Sequence, residues 1–207
     1  MRVAVKETEV YKFDELDEDA QEKALMWYCE TLGSIDYDFV IEDVKRLGAI
    51  IGIEIKDVLW SGFGSQGDGA CFVGEYSYKK GCEKNLKDEV PNLTDLHNIL
   101  TTLNFHQKKH FYKLSATIEH GNSHYYHYNS VTITVYKDGD ELWAAKDYTT
   151  DAERSAIEDI TSALRDFCRW IYKSLEEEND FLCSKGHMQE MCDGNDWEFT
   201  KEGRFYS

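Results

Sequence analysis

Apolar side chains recur every three or four residues at Phe13, Leu16, Ala20, Ala24 and Tyr28. That is the spacing of one helical face and predicts a helix over 11–33. Asp14 or Asp17 can cap its start, the acidic first turn suits the helix dipole, and Gly33 ends it. Val40, Val44, Leu47 and Ile51 predict a second helix over 36–51, closed by Gly52. The period then falls to two. Ile53 and Ile55 alternate with Glu54 and Lys56 as far as Trp60, and Phe72, Gly74, Tyr76 and Tyr78 alternate again. Two strands joined through glycines at 62, 64, 67 and 69 predict a hairpin. Leu93, Leu96, Leu100 and Leu103 mark a third helix, with Thr94 as its cap.

Tyr112, Leu114, Ala116 and Ile118 form another alternating run, and so do Val131, Ile133 and Val135. A polar, aromatic loop over 120–128 joins them. Asp138-Gly139 is a hairpin turn signal, with Leu142-Trp143-Ala144 returning as an edge strand. The longest helix spans 151–182, where Ile157, Ile160, Leu164, Phe167, Ile171 and Leu175 make a continuous apolar stripe. A small hairpin closes the chain, with Trp197 and Phe199 on one side, Glu202-Gly203 as the turn and Phe205 returning. Tight strand connections favour an antiparallel sheet. The expected fold is α+β: about four to five strands with helices packed on them, including one long C-terminal helix followed by the hairpin. One domain over 1–207 is expected, with sub-regions 1–51, 52–150 and 151–207.

Composition changes this picture little; charge changes it more. Five Trp, thirteen Tyr and ten Phe among 207 residues can bury a core, and a disordered chain would not carry them. Forty acids against twenty-three bases leave a formal charge of −17. Direct binding to a phosphate backbone relies on Lys and Arg and is disfavoured. A well-solvated surface is one reading of the charge. A surface that attracts a basic partner or imitates nucleic acid is the other. The first residues lack the apolar core of a signal peptide, so the six cysteines are expected as reduced thiols in a cytoplasm. No run of residues is long and apolar enough to span a membrane.

Three motifs invite chemistry. Gly62-Phe63-Gly64-Ser65-Gln66-Gly67 spells GxGxxG after a strand, but a dinucleotide fingerprint needs a helix to open there, and a second strand follows. A hairpin connection able to approach a partner closely is the expectation. His120, His124 and His127 have residue types that ligate zinc, nickel or copper. Set in a strand-connecting segment and separated by Tyr125, Tyr126 and Tyr128, they read first as a solvated aromatic loop, which also makes a protein-contact patch. Cys183, His187 and Cys192 supply three of the four ligands that a structural zinc site requires. No nucleophile or metalloprotease signature is present, and no cofactor is expected. The reading is a binding protein and not an enzyme.

The candidate partner-binding residues are the acidic clusters and the two loops: Asp14, Glu15, Asp17, Glu18, Asp19, Asp36, Asp38, Glu42, Asp43, Gln66, Asp68, Tyr125, Tyr126, Glu176, Glu177 and Glu178. Carboxylates along helices can imitate phosphates if the fold aligns them.

Several stretches carry a resemblance: Phe13-Asp14-Glu15-Leu16, Ser61 to Phe72, His110-Phe111-Tyr112, Leu164 to Tyr172, and Trp197 to Arg204. Together they resemble a family of uncharacterised phage and prophage proteins, some labelled antitoxins of toxin–antitoxin stability systems. The resemblance implies a phage context and supplies no catalytic residues. With the charge, it leads to the expectation of a phage counter-defence inhibitor, anti-CRISPR or anti-restriction in type, in the host cytoplasm. Its partner would be a host immune effector with a basic, nucleic-acid-binding surface. Neither nucleic acid nor a membrane is expected to be bound directly, and a homodimer is left open. The alternative is an antitoxin that neutralises a basic toxin.

Overall fold

The computed structural model describes residues 7–31, 37–121, 123–138 and 150–207. The chain forms two compact units: unit 1 is Met1–Asp36 with Glu177–Ser207, and unit 2 is Tyr37–Glu176.

Unit 2 holds a four-stranded antiparallel sheet in the order β1-β2-β3-β4. The strands are β1 Ile53–Ser61, β2 Gly69–Ser77, β3 Leu114–His120 and β4 Val131–Lys137. Period-two alternation places Phe72 and Tyr76 of β2, Ala116 and Ile118 of β3, and Val131 and Val135 of β4 on a buried face. Glu54, Lys56 and Glu75 point the other way, where Lys56 Nζ donates to Glu75 at 2.7 Å. Strict alternation from Ile53 would turn Asp57 inward. A register shift between Ile55 and Asp57 prevents this and sets Val58 opposite Phe72. One extra residue therefore keeps a carboxylate out of the core.

Among the described residues four helices accompany the sheet: α2 Asp38–Ile50, α3 Cys82–Glu89, α4 Thr94–Lys109 and α5 Asp151–Leu182. The α5 stripe buries Ile160, Leu164, Phe167, Ile171 and Leu175 completely. Each such side chain contributes about 1.5–3 kcal/mol. Phe167 meets Phe72 edge-on at 5.4 Å, and Gly48 of α2 lies under the Phe167 ring. Gln107, buried on α4, clamps the turn into β3. Its Nε2 donates to the Leu114 carbonyl at 2.6 Å and its Oε1 accepts from the Leu114 N–H at 3.2 Å. The clamped turn holds Phe111 and Tyr112 at φ 58° and 61°. This left-handed conformation costs a bulky residue about 1–2 kcal/mol.

Unit 1 is built from both parts of the chain. A 3-10 turn, Phe13–Glu15, precedes α1 Glu18–Thr31, and α6 Lys185–Asn195 follows α5. Phe13, Leu16, Ala20, Ala24, Tyr28, Met188, Cys192 and Phe199 make its core. Tyr11 bridges Phe199, which bridges Phe205, so the closing hairpin is reduced to isolated bridges. Trp27 stacks on Phe205 at 4.4 Å and meets Trp197 edge-on at 5.9 Å. Gly203, at φ 79°, sits so close to α1 that a Cβ would lie 2.0 Å from the Ala20 carbonyl oxygen.

Several expectations are corrected. The first helix is broken at Leu16-Asp17, because Asp17 caps a new helix by accepting the Ala20 N–H at 2.9 Å. Thr94 is the first residue of α4, and Leu93 precedes it with no side-chain cap. Tyr112 belongs to the turn and not to β3. Helices α3 and α6 were not expected, and α6 occupies the segment that carries His187 and Cys192. Gly33, Asp36, Gly139 and the 142–144 edge strand lie outside the described residues. No helix of the described residues is long and apolar enough to cross a membrane.

Candidate functional site

The two loops singled out in the sequence meet at one end of the unit 2 sheet. The β1–β2 connection closes on itself. Asp68 accepts the Ser65 N–H at 2.6 Å, and the Ser65 carbonyl accepts the Asp68 N–H at 3.1 Å. It runs from strand to strand without opening a helix, so the glycine pattern has no pyrophosphate site. The β3–β4 loop packs against it. A Cβ on Gly69 would lie 2.8 Å from the Tyr126 carbonyl oxygen and 2.9 Å from the His127 ring. Glycine is thus required at position 69 for the close approach. A Cβ on Gly67 would lie 3.4 Å from the Tyr125 ring.

Aromatic rings support this end from beneath. Trp60 stacks on Phe63 at 5.4 Å, Tyr37 meets Trp60 edge-on at 4.8 Å, and Phe63 meets Tyr172 of α5 at 5.8 Å. Arg169, also on α5, lies 3.8 Å from the centre of the Tyr128 ring and pairs with Asp166. A hydrogen bond with Arg169 lowers the Tyr128 phenol from its ordinary value. Burial, and then Arg169, lowers His127 and favours its neutral form. Tyr125 is 65% exposed and Gln66 is exposed beside it, while Tyr126 and Asp68 are half-buried. The result is a mixed aromatic and polar surface at this end of the sheet.

Two histidines of this loop, His120 and His127, serve its own backbone. His120 Nε2 is 3.2 Å from the Tyr125 carbonyl oxygen, and His127 Nδ1 accepts the Asn129 N–H at 3.3 Å. His124 is exposed. In unit 1, His187 lies between the rings of Tyr28 and Phe181, and Ser184 caps α6 by accepting the His187 N–H at 3.2 Å. Burial pushes the Cys192 thiol up to about 11 and the Cys29 thiol, beside Cys183, up to about 12. These are protonated packing thiols. Among the described residues no group of three or more His, Cys, Asp and Glu side chains is placed to hold a metal ion.

The predicted carboxylates divide between the units. Asp14, Glu15, Asp17, Glu18, Asp19, Glu177 and Glu178 belong to unit 1; Asp38, Glu42, Asp43, Asp68 and Glu176 belong to unit 2. At least four of them have work within the fold. Glu15 accepts the Lys12 N–H, Asp17 caps α1, Asp43 pairs with Arg46 and Asp68 shapes its loop. Asp14, Glu18 and Asp19 are exposed and make no ion pair among the described residues. Unit 1 as a whole has eighteen acids against seven bases in 67 residues, a charge of −11.

Sequence reasoning missed a cleft of about 500 Å³ between α4 and α5, lined by Asp95, Asn98, Thr102, Asp159, Asp166 and Lys173. Its carboxylates are matched internally: Asp95 with Lys173 at 3.7 Å, Asp166 with Arg169, and Asp159 with the buried His106 at 2.8 Å. It also missed Arg169 and Tyr172. Arg165 and Arg169, one helical turn apart on α5, were the available signal for a basic strip.

A family model described as Domain of unknown function (DUF8835) matches residues 37–185. No curated protein and no solved structure matches the chain.

Proposed function

The chain belongs to the DUF8835 family, a domain of unknown function, and on that premise we propose that it is a protein inhibitor that occupies a basic, nucleic-acid-binding surface of its partner. The observation that carries this reading is the concentration of −11 in unit 1, with Asp14, Glu18 and Asp19 exposed and unpaired among the described residues. Solvated carboxylates of one sign raise the encounter rate with a basic groove and repel nucleic acid from it. Gln66, Tyr125 and Tyr126 on unit 2 supply a shape-specific contact that charge alone does not. The resemblance to phage and prophage proteins makes a host immune effector, of the kind that anti-CRISPR or anti-restriction proteins target, the partner class to test first.

The test is affinity copurification from host lysate at low and high salt, followed by reconstitution. A nucleic-acid-handling protein is expected at low salt and is released by added salt. Its nucleic-acid binding falls in proportion to the inhibitor added. Changing Asp14→Asn, Glu18→Gln and Asp19→Asn together slows association by about tenfold. Recovery of no such protein, or a partner held equally by the neutralised variant, overturns the reading. A small basic toxin in its place would select the antitoxin alternative.

A further inference from the structure

The net charge hides a local reversal in unit 2. From Tyr78 to Lys113 seven lysines stand against four carboxylates, an excess of +3 in a chain of −17. The fold draws the two ends of this stretch together. The Tyr78 and Tyr112 rings meet at 4.4 Å, and both line a cleft of about 230 Å³ with Lys108. An adjoining cleft of about 260 Å³ is lined by Phe105 and again by Lys108, and the two share Glu83 and Asn104.

Three large rings stand in solvent here: Phe105 and Tyr112, which line the clefts, are 52% and 45% exposed, and Phe111, next to Tyr112 in the chain, is 79% exposed. Phe111 and Tyr112 are held outward by two successive left-handed residues, and the Gln107 clamp on Leu114 fixes that turn. Rare backbone conformations that the surroundings impose are concentrated at functional sites. Lys109 Nζ lies 4.0 Å from the centre of the Phe105 ring. Lys108 pairs with Glu83 at 3.2 Å, whereas Lys80, Lys84, Lys109 and Lys113 make no ion pair among the described residues.

We propose that this end of unit 2 binds single-stranded nucleic acid, with the lysine ammoniums on phosphates and the Phe105, Phe111 and Tyr112 rings stacked on unpaired bases. Lysines interleaved with exposed rings are the elements of sequence-tolerant single-strand binding. A duplex keeps its base faces stacked and gives the rings nothing to meet. An anionic bilayer would meet the lysines, but it would set its own negative surface against the Glu83 carboxylate, which is 62% exposed beside Lys108. Base edges can hydrogen-bond to the exposed Glu83 carboxylate. The chain's excess of carboxylates does not cancel the patch. At about 0.1 M salt the Debye length is about 10 Å, so more distant charges are largely screened while contacting lysines are not. The proposal is independent of the acidic surface of unit 1.

Fluorescence anisotropy of labelled oligo(dT) and oligo(U) with the full-length chain, at about 0.1 M salt, tests it. Saturable binding is expected, with a duplex of the same length bound at least tenfold more weakly. Phe111→Ala weakens binding by about tenfold, the loss of one stacked base. Lys109→Glu with Lys113→Glu abolishes it. Both variants change exposed side chains, and circular dichroism checks the fold. Absence of binding to either oligonucleotide, equal binding of all three proteins, or binding to phosphatidylserine vesicles but not to oligonucleotides overturns the proposal.

Discussion

Unit 1 and unit 2 differ in how the chain builds them and in the charge they carry. Unit 2 is one continuous stretch around a four-stranded sheet, with twenty-two acids against sixteen bases in 140 residues. Unit 1 is joined from two stretches through the Tyr11–Phe199 bridge, and its net charge per residue is about four times greater. The family match begins at Tyr37, where unit 2 begins, and runs nine residues past its end. The feature that most suggests a basic partner therefore lies largely outside the part that defines the family. A small unit with a net charge of −11 must hold together by close apolar packing, because its charges repel. Its dense ring cluster of Phe13, Trp27, Trp197, Phe199 and Phe205 supplies that packing.

The sharpest way to separate the units is Gly203→Ala. A methyl group 2.0 Å from the Ala20 carbonyl oxygen, on a residue with φ of 79°, forces α1 and the closing turn apart. A loss of about 3 kcal/mol or more is expected. Hydrogen exchange should show protection lost in α1 and α6 and kept in β1–β4; equal loss in both units would break the comparison. Next in size is Gln107→Leu in unit 2, which leaves the Leu114 N–H and carbonyl without their partner. About 2 kcal/mol is expected, read as a lower urea midpoint with deprotection at the start of β3.

A pH effect follows from His110, whose pKa burial lowers below the ordinary histidine value. The unfolded chain then binds the proton first as pH falls through about 6.5, so stability present above that value declines on acidification. A thermal midpoint that falls between about pH 7 and pH 5, and falls less in His110→Phe, confirms the assignment. The carboxylates of unit 1 give the smallest effects. Asp17→Ala removes the α1 cap and costs about 1 kcal/mol. The triple amide variant at Asp14, Glu18 and Asp19 changes stability by no more than about 0.5 kcal/mol, because relief of repulsion and loss of helix-dipole stabilisation oppose each other. A larger change would mean that these carboxylates serve the fold.

Legibility followed the amount of buried surface in each element. The α5 boundaries and the four strands were readable because each buries a regular series of side chains. Helix α3 buries only Cys82 and Leu86 among lysines and acids, and α6 only Met188 and Cys192 between two glycines, so neither has a stripe to detect. The contact loops were recognisable by their glycines, tyrosines and histidines. Their meeting was not, because it depends on Gly69 lying under Tyr126. The lysine and ring patch was hidden for the same reason: its members come from 78–84 and 105–113, and a net charge averages them away.

By itself the sequence determined the α+β class, the strand and long-helix periods, and the excess of carboxylates, since periodicity and composition are local properties of the chain. Only the tertiary structure decided that most of this charge belongs to a unit joined from both parts of the chain. It alone turned Phe111 and Tyr112 outward beside the lysines and set His120 and His127 on their own loop's backbone. Those outcomes depend on contacts between residues far apart in the chain, which packing and backbone hydrogen bonding select and no local pattern encodes.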